Sequence, residues 1–123
     1  MKNLNQIRAH SALQHKDRIA ASQGGGDAIS GFPMLVLTDG LLAALAFGCE
    51  SKDQPAGARK HPGEYTVATA ITDHLRANGI GITEAESASD LIAELAHEET
   101  DIKLRRATAE TIEFLNYLKR FVA

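Results

Sequence analysis

Apolar residues recur along most of this chain at intervals of three and four, the spacing that puts side chains on one face of a helix. The clearest example is the segment from Asp101 to Val122. Its stripe consists of Leu104, Thr108, Thr111, Leu115, Leu118 and Val122, with Phe114, Tyr117 and Phe121 beside it. The pattern predicts a helix about 33 Å long that packs on two neighbours. The opposite, polar arc of this helix consists of Arg105, Arg106, Glu113, Asn116 and Arg120.

The first half of the chain predicts two helices separated by three glycines. The first spans residues 3–22, and we interpret residues 24–26 as a flexible connection. The second begins near Ser30 and Pro33 and continues to Glu50. Because it is apolar nearly all round, we expect it to be the central buried helix. Gly40 interrupts it, which indicates a bend or the close approach of a neighbouring helix.

Two shorter helices are predicted between this pair and the last helix. Residues 51–63 form a polar loop with two prolines, and residues 64–77 form a helix that ends at Asn78 and Gly79. The next helix covers residues 87–98 and opens with the spacing of a capping box, from Ser87 to Asp90. Ala and Leu dominate the apolar residues, and no stretch alternates convincingly. We therefore predict an all-α fold, a compact bundle of about five helices in a single domain over residues 1–123.

The chain offers no sign of export or of a membrane span. Its N-terminal segment has no apolar stretch, and its longest apolar run covers only residues 41–48, whereas a span needs about 20 residues. Cys49 is the one cysteine, so an intramolecular disulfide is impossible, as is typical of a reducing compartment. We expect a cytoplasmic protein without membrane contact.

Charge is distributed unevenly around a net value of −3. Residues 1–23 carry four basic residues against one acidic residue, and residues 103–123 carry five against two. Residues 84–101 carry seven acidic residues and no basic one. A polyanion would therefore bind the two ends, if they lie side by side, and avoid residues 84–101. On the first helix one polar arc consists of Arg8, Ser11, His15, Arg18 and Ser22, and it is either an ordinary solvated face or a surface that follows phosphates.

No pattern in the chain predicts a catalytic site. No two of the five histidines have the i, i+4 spacing of helical metal ligands, so we expect no metal and no other cofactor. Cys49 ends an apolar helix, where a thiol usually packs as a small hydrophobic group. The glycines at 24–26 are not followed by the Lys-Ser/Thr pair of a phosphate-binding loop. We expect the protein to act by binding and not as an enzyme.

Three blocks of the sequence resemble a known family in the family's own order. The end of the chain, RRATAETIEFLNYLKRFVA, resembles the closing signature of the small subunit of type III-B CRISPR effector complexes, the Cmr complexes. The matched positions are Arg106, Thr108, Glu110, Leu115, Leu118, Lys119, Arg120 and Phe121. Tyr117 stands where the family often has Trp, and Val122 where Ala is common. The blocks GFPMLVLTDGLLAALAF and QIRAHSAL resemble the second and first helices, with Asp39 in place of a frequent Asn.

This resemblance implies a non-catalytic helical subunit that stacks in several copies and contacts the target RNA paired to the guide. Its partners would be the crRNA and target RNA, the backbone and large subunits of the Cmr complex, and neighbouring copies of itself. Other subunits would perform cleavage. The family's basic RNA-facing surface maps onto Arg8, Lys16, Arg18, Arg105, Arg106, Lys119 and Arg120. Thr108 and Glu110 also match the signature, although a hydrogen bond between helices would explain them equally well.

Two alternatives come from other functional classes. A helical protein–protein adaptor would use the same basic faces to dock acidic partners and would not touch RNA. A DNA-binding helix-turn-helix protein needs an exposed basic recognition helix after a short turn. The only closely spaced pair of predicted helices ends in a helix with acidic residues and no Lys or Arg, so we disfavour that class.

Overall fold

In a computed structural model of the chain, which describes residues 2–55 and 57–122, six helices surround one apolar core. In chain order the helices are α1 Leu4–Ala21, α2 Gly25–Asp39, α3 Leu41–Cys49, α4 Pro62–Arg76, α5 Ala88–His97 and α6 Ile102–Val122. No strand occurs in the described ranges, although Ser51 and Arg59 form an isolated antiparallel bridge in the loop before α4. The all-α prediction is confirmed, with one helix more than expected.

Helix α4 holds the centre of the bundle, so the prediction of a central second helix was wrong. It packs against each of the other five helices and buries residues on several sides, among them Val67, Ile71 and Leu75. The apolar stretch that was expected there divides into α2 and α3, and α2 leaves Met34 and Leu37 64% and 68% exposed. Hydrophobic content alone therefore overstated the burial of α2.

Gly40 separates α2 from α3 because of its backbone conformation. Its φ of +91° lies where residues with a Cβ are strained, and its N–H donates to the carbonyl of Val36 to close α2. A Cβ placed at Gly40 would meet nothing within 4 Å. The close approach of a neighbouring helix is therefore not the reason for this glycine.

The glycines at 24–26 form a packed turn and not the flexible connection that the sequence indicated. Gly24 takes a left-handed φ of +74° as the residue before α2, which begins at Gly25 and not near Pro33. A Cβ on Gly25 would lie 1.8 Å from the carbonyl oxygen of Ile19. A Cβ on Gly63 in α4 would lie 2.5 Å from the carbonyl oxygen of Gly24. Glycine is needed here because three backbone segments meet.

We expect Gly25→Ala to lower the free energy of unfolding by about 2 kcal/mol, since the new methyl group must displace the backbone of α1. Gly26→Ala is the matched control because a Cβ at the next position meets nothing within 4 Å. In a helix this control should raise stability by about 0.5 kcal/mol. Urea unfolding of both variants measures the difference. Equal stability of the two variants would refute the packed turn.

The helix ends follow local capping rules. Asn3 and Gln6 form a reciprocal capping box at the start of α1, with both bonds at 2.8 Å. At the start of α5, the Ser87 hydroxyl accepts a bond from the backbone of Asp90. Pro62 occupies the first turn of α4, where its missing N–H costs nothing. The predicted bounds of α1, α5 and α6 agree with the structure within one residue.

Candidate nucleic-acid interface

The exposed arc of α6 carries the polar residues that the periodicity predicted. Arg105, Arg106, Glu113, Asn116 and Arg120 are all exposed, and so is Lys119. The opposite side of the helix is buried, with Phe114, Leu115 and Leu118 fully inside the core. The apolar stripe thus fixes which way the four basic side chains point.

Three of these basic residues form no ion pair with any residue that the structure describes. Within those ranges, no carboxylate lies within 4 Å of Arg106, Lys119 or Arg120. Arg105 is different, because its Nε lies 3.4 Å from Asp101 one turn earlier. Both members of that pair are largely exposed, so the pair is weak and open to competition. Helix α6 therefore offers three cations, Arg106, Lys119 and Arg120, that no carboxylate of the described residues neutralises.

Helix α1 lies directly beside α6, and the two have the most extensive packing of any helix pair in the bundle. The two basic ends of the sequence therefore meet, as a shared polyanion surface requires. On α1, Lys16 is half-buried with its Nζ 3.3 Å from Asp17, and Arg18 is exposed with its guanidinium 4.0 Å from Asp73. Both pairs involve exposed groups, so these two cations also face solvent.

Arg8 occupies a different environment from the other six predicted residues. Its Nε donates to Glu110 Oε2 at 2.8 Å, and one terminal nitrogen donates to Oε1 at 2.9 Å. The other terminal nitrogen donates to Asn5. The pKa of Arg8 is raised by its hydrogen bond to Glu110. Its guanidinium is thus engaged in joining α1 to α6, and the predicted RNA contact would have to compete with that bond.

Glu110 is the acceptor at the centre of a network that spans three helices. His74 of α4 lies with its Nε2 2.9 Å from Glu110 Oε2, and its ring stacks on Phe114 with centroids 4.3 Å apart. Burial acts to raise the pKa of Glu110, but the hydrogen bonds from Arg8 and His74 outweigh it and hold this pKa below its usual value. The hydrogen bond between helices that the sequence allowed for Glu110 is therefore present. Thr108 instead bonds the carbonyl of Leu104 within its own helix.

Burial lowers the pKa of His74 below its usual 6.5. The carboxylate of Glu110 can only accept, so the Nε2 of neutral His74 carries the hydrogen. Its Nδ1 is buried and has no partner among the described residues. A second proton there would be buried and unpaired, which explains why the charged form is disfavoured. Burial therefore favours the neutral form of His74 in the folded protein.

The polar arc predicted for α1 was wrong. Ser11 and His15 are buried, while Arg8 and Ser22 are half-buried, so that arc faces the core and only Arg18 is well exposed. Two apolar residues of α1, Leu4 and Leu13, are about half exposed instead. His15 lies 3.8 Å from Asp73, and burial lowers its pKa below 6.5.

Neither a metal-binding cluster nor a membrane-spanning helix is found among the described residues. No group of three or more possible metal ligands occurs within residues 2–55 and 57–122. No helix in the described ranges is both long enough and apolar enough to cross a bilayer. Cys49 is half-buried at the end of α3, where its carbonyl accepts a bond from Arg59.

Comparisons with known proteins agree with the blocks noted in the sequence. Residues 4–123 match the family model described as CRISPR-associated protein (Cas_Cmr5). The fold is similar to the X-ray crystal structure of a CRISPR-associated Cmr5 family protein from Thermus thermophilus, with a TM-score of 0.70. The two chains are 22% identical, and the match covers 99% of this chain and 96% of the other. At this identity the structural likeness shows a shared fold. No curated protein matches the sequence.

Proposed function

Since the chain belongs to the Cmr5 family and is a small subunit of a type III-B CRISPR complex, we propose that it contacts the target RNA paired to the guide. In this proposal it has no catalytic activity, and other subunits cleave the RNA. Several copies stack beside the backbone and large subunits, so that their basic faces follow one RNA strand. The crRNA and target RNA, the other Cmr subunits and neighbouring copies are its partners.

The observation that carries this proposal is the row of cations on the exposed arc of α6. Arg106, Lys119 and Arg120 are held outward by a buried apolar stripe, and in the described ranges no acidic partner lies within 4 Å of them. Phosphate contacts of this kind position a strand without reading its sequence.

The other four predicted residues differ in how free they are to bind a phosphate. Arg105, Lys16 and Arg18 sit in weak, exposed ion pairs that a phosphate can displace. Arg8 is bound to Glu110 and contributes chiefly by fixing α1 against α6. The RNA surface is therefore centred on α6, with the exposed residues of α1 at its side.

One copy has only a few phosphate contacts, so its own affinity is weak, on the order of the 10⁻⁴–10⁻⁶ M of non-specific sites. Copies lined along one strand gain affinity through effective concentration. The function is therefore best measured in the assembled complex, with the isolated chain as a baseline.

We expect the double variant Arg106→Glu, Arg120→Glu to enter the complex normally and to weaken its binding to target RNA about tenfold. Because about two phosphate contacts per copy are lost, the plot of log K against log salt concentration should become shallower by about 2 per engaged copy. Filter binding over a range of salt concentrations measures both quantities, and size-exclusion chromatography measures assembly.

The matched control is Lys52→Glu, Lys60→Glu, which makes the same change in net charge on the loop before α4. This control should leave RNA affinity and its salt dependence near those of the unaltered complex. An equal loss of affinity in both double variants would mean that net charge and not the α6 surface is responsible, and would contradict the proposal.

One observation favours the second candidate, a protein–protein adaptor without RNA contact. Met34 and Leu37 lie one turn apart on α2 and are largely exposed, as is typical of a surface that meets another protein. The charge-reversal experiment separates the two functions. If the adaptor function is correct, the α6 double variant fails to assemble, whereas RNA affinity of any complex that forms is unchanged.

A further inference from the structure

The C-terminal half of α6 carries a notch that is lined by an acidic, an amide, an aromatic and a basic side chain. A surface that only binds phosphates would be lined by basic side chains. A cavity of about 250 Å³ is lined by Glu113, Asn116, Tyr117 and Arg120, which lie on one face of the helix. It shares Glu113 with a larger cavity of about 360 Å³ between α6, α1 and the loop after α4, in which Arg106 takes part. From Arg106 to Arg120 these cavities follow α6 for about 21 Å.

The order of charges along this groove is positive, negative, positive. Glu113 lies between Arg106 and Arg120 and is exposed, and it forms no ion pair within 4 Å among the residues that the structure describes. A carboxylate repels a phosphate, so a groove that only follows a sugar–phosphate backbone gains nothing from Glu113. A carboxylate does accept a hydrogen bond from the exocyclic amine of a base, as acidic side chains do from the N4 amine of cytosine.

The notch also has an aromatic wall and an amide. Tyr117 is half-buried. The centroid of its ring lies 6.3 Å from that of Phe121, and the two ring planes meet at 47°, so the rings form an aromatic pair beside the notch. Aromatic faces of this kind stack nucleobases. Asn116 is exposed and can both donate to and accept from the edge of a base. Arg120 is in place to hold the phosphate attached to that base.

We propose that Glu113, Asn116, Tyr117 and Arg120 form a nucleobase site that prefers bases with an exocyclic amine over uracil. The site rests on the proposed function, because it lies within the surface assigned to RNA. It adds a base contact to the phosphate contacts of the proposed function. Each copy would then hold one unpaired base of the bound strand against Tyr117, with Arg120 on the phosphate of that nucleotide and Arg106, about 21 Å away along α6, on a phosphate further along the strand.

Titration of the full chain with cytidine 5′-monophosphate and with uridine 5′-monophosphate, followed by amide chemical shifts in NMR spectra, tests this site. The two probes share the ribose and the phosphate and differ at the base edge. We expect both to shift resonances near Arg120, and the cytidine nucleotide to bind about fivefold more tightly, the low end for a base contact. The extra shifts should centre on Asn116 and Tyr117.

Two substitutions assign the preference to its residues. Glu113→Gln should bring the two affinities to within about twofold, because the amide can donate to the O4 atom of uracil as well as accept from an amine. Tyr117→Leu should weaken both nucleotides by removing the stacking surface. The matched control is Glu99→Gln, an exposed acidic residue outside α6 that should leave the preference unchanged.

The outcomes separate this site from the proposed function. Equal binding of the two nucleotides near Arg120 in the unaltered chain would overturn the base site and leave the phosphate surface standing. A cytidine preference that survives Glu113→Gln would overturn the role of the carboxylate and with it the site. Absence of any shift on α6 would overturn the site as well, while the charge-reversal experiment in the complex would still judge the RNA contact.

Discussion

Replacing Glu110 with alanine is expected to lower the free energy of unfolding by about 3 kcal/mol. The substitution removes the acceptor of two hydrogen bonds from Arg8 and one from His74, and those donors are mostly or fully buried. The loss is large because one charged and one polar partner remain in the protein interior without compensation. In a chain of this size the midpoint of thermal unfolding should fall by about 10 °C, which calorimetry can measure.

Glu113→Ala is the control for this prediction, since Glu113 lies one turn further along the same helix and is exposed. Its effect should stay within about 0.5 kcal/mol. Glu110→Gln, which retains an acceptor but not the charge, should lie between the two. If Glu110→Ala and Glu113→Ala unfold at the same temperature, the network does not stabilise the fold.

A double variant separates what the ion pair contributes to the free energy of unfolding from the cost of leaving one of its charges buried without a partner. Arg8→Met, Glu110→Leu removes both charges and fills the site with apolar atoms, so it should recover part of the stability that Glu110→Ala loses. Since Arg8 and Glu110 are in contact, their effects should not add. Recovery would indicate that the pair fixes the position of α1 against α6 more than it adds stability.

Helix α6 was predictable because local and tertiary requirements agree along its whole length. Its apolar residues repeat at helical spacing, so the buried face and the exposed basic arc could both be derived from the sequence. The same pattern contained one exception, a carboxylate at position 110 among buried residues such as Ala107 and Phe114. An acidic residue inside an apolar stripe indicates a buried partner. The sequence could not identify the partners of Glu110, because Arg8 and His74 are 102 and 36 residues away from it in the chain.

The start of α2 and the orientation of α1 could not be predicted for a different reason. Glycine usually disfavours a helix, so residues 24–26 indicated a loop, whereas their function is to let backbone segments approach. On α1 the buried positions include Ser11 and His15, while Leu13 is half exposed. Hydrophobicity therefore gives the wrong face. Both errors arise from close packing with distant segments, about which local sequence carries no signal.

The proposed base site illustrates the same limit for function. The sequence placed Glu113, Asn116 and Arg120 on the exposed arc of α6 but assigned Tyr117 to the apolar side. In the structure Tyr117 is half-buried at the boundary of the two faces and lines the notch with the other three. A boundary position has no fixed environment until the neighbouring helices are placed, so a mixed polar and aromatic site is seen only in the folded chain.

Acidification should destabilise the protein well above the range in which carboxylates titrate. The folded-state pKa values of His15 and His74 are both lowered from 6.5, chiefly by burial. As pH falls below 6.5, these histidines take up protons more readily in the unfolded chain than in the folded one. The unfolded state therefore binds more protons, and the free energy of unfolding falls with pH.

Each such histidine lowers the free energy of unfolding by at most about 1.4 kcal/mol per pH unit, and only between its lowered folded-state pKa and 6.5. The groups around them support this direction. The positive charge of Arg8 lowers the pKa of His74, and that of Arg18 lowers the pKa of His15. Glu110 and Asp73 act to raise these two pKa values, but they offset the effect of burial only in part. Below pH 4.5, protonation of Glu110 in the unfolded state removes further stability, because its folded-state pKa is also lowered.

Urea unfolding between pH 5 and pH 8 measures this dependence, and two double variants assign it. His15→Gln, His74→Gln should flatten the curve between pH 5 and pH 7, because glutamine at position 74 can still donate to Glu110 but cannot take up a proton. His10→Gln, His97→Gln is the control, since both side chains are exposed to solvent in the folded chain. A control that flattens the curve as much as the buried pair would show that burial is not the cause. An unchanged slope in the buried pair would place the acid sensitivity on carboxylates elsewhere in the bundle.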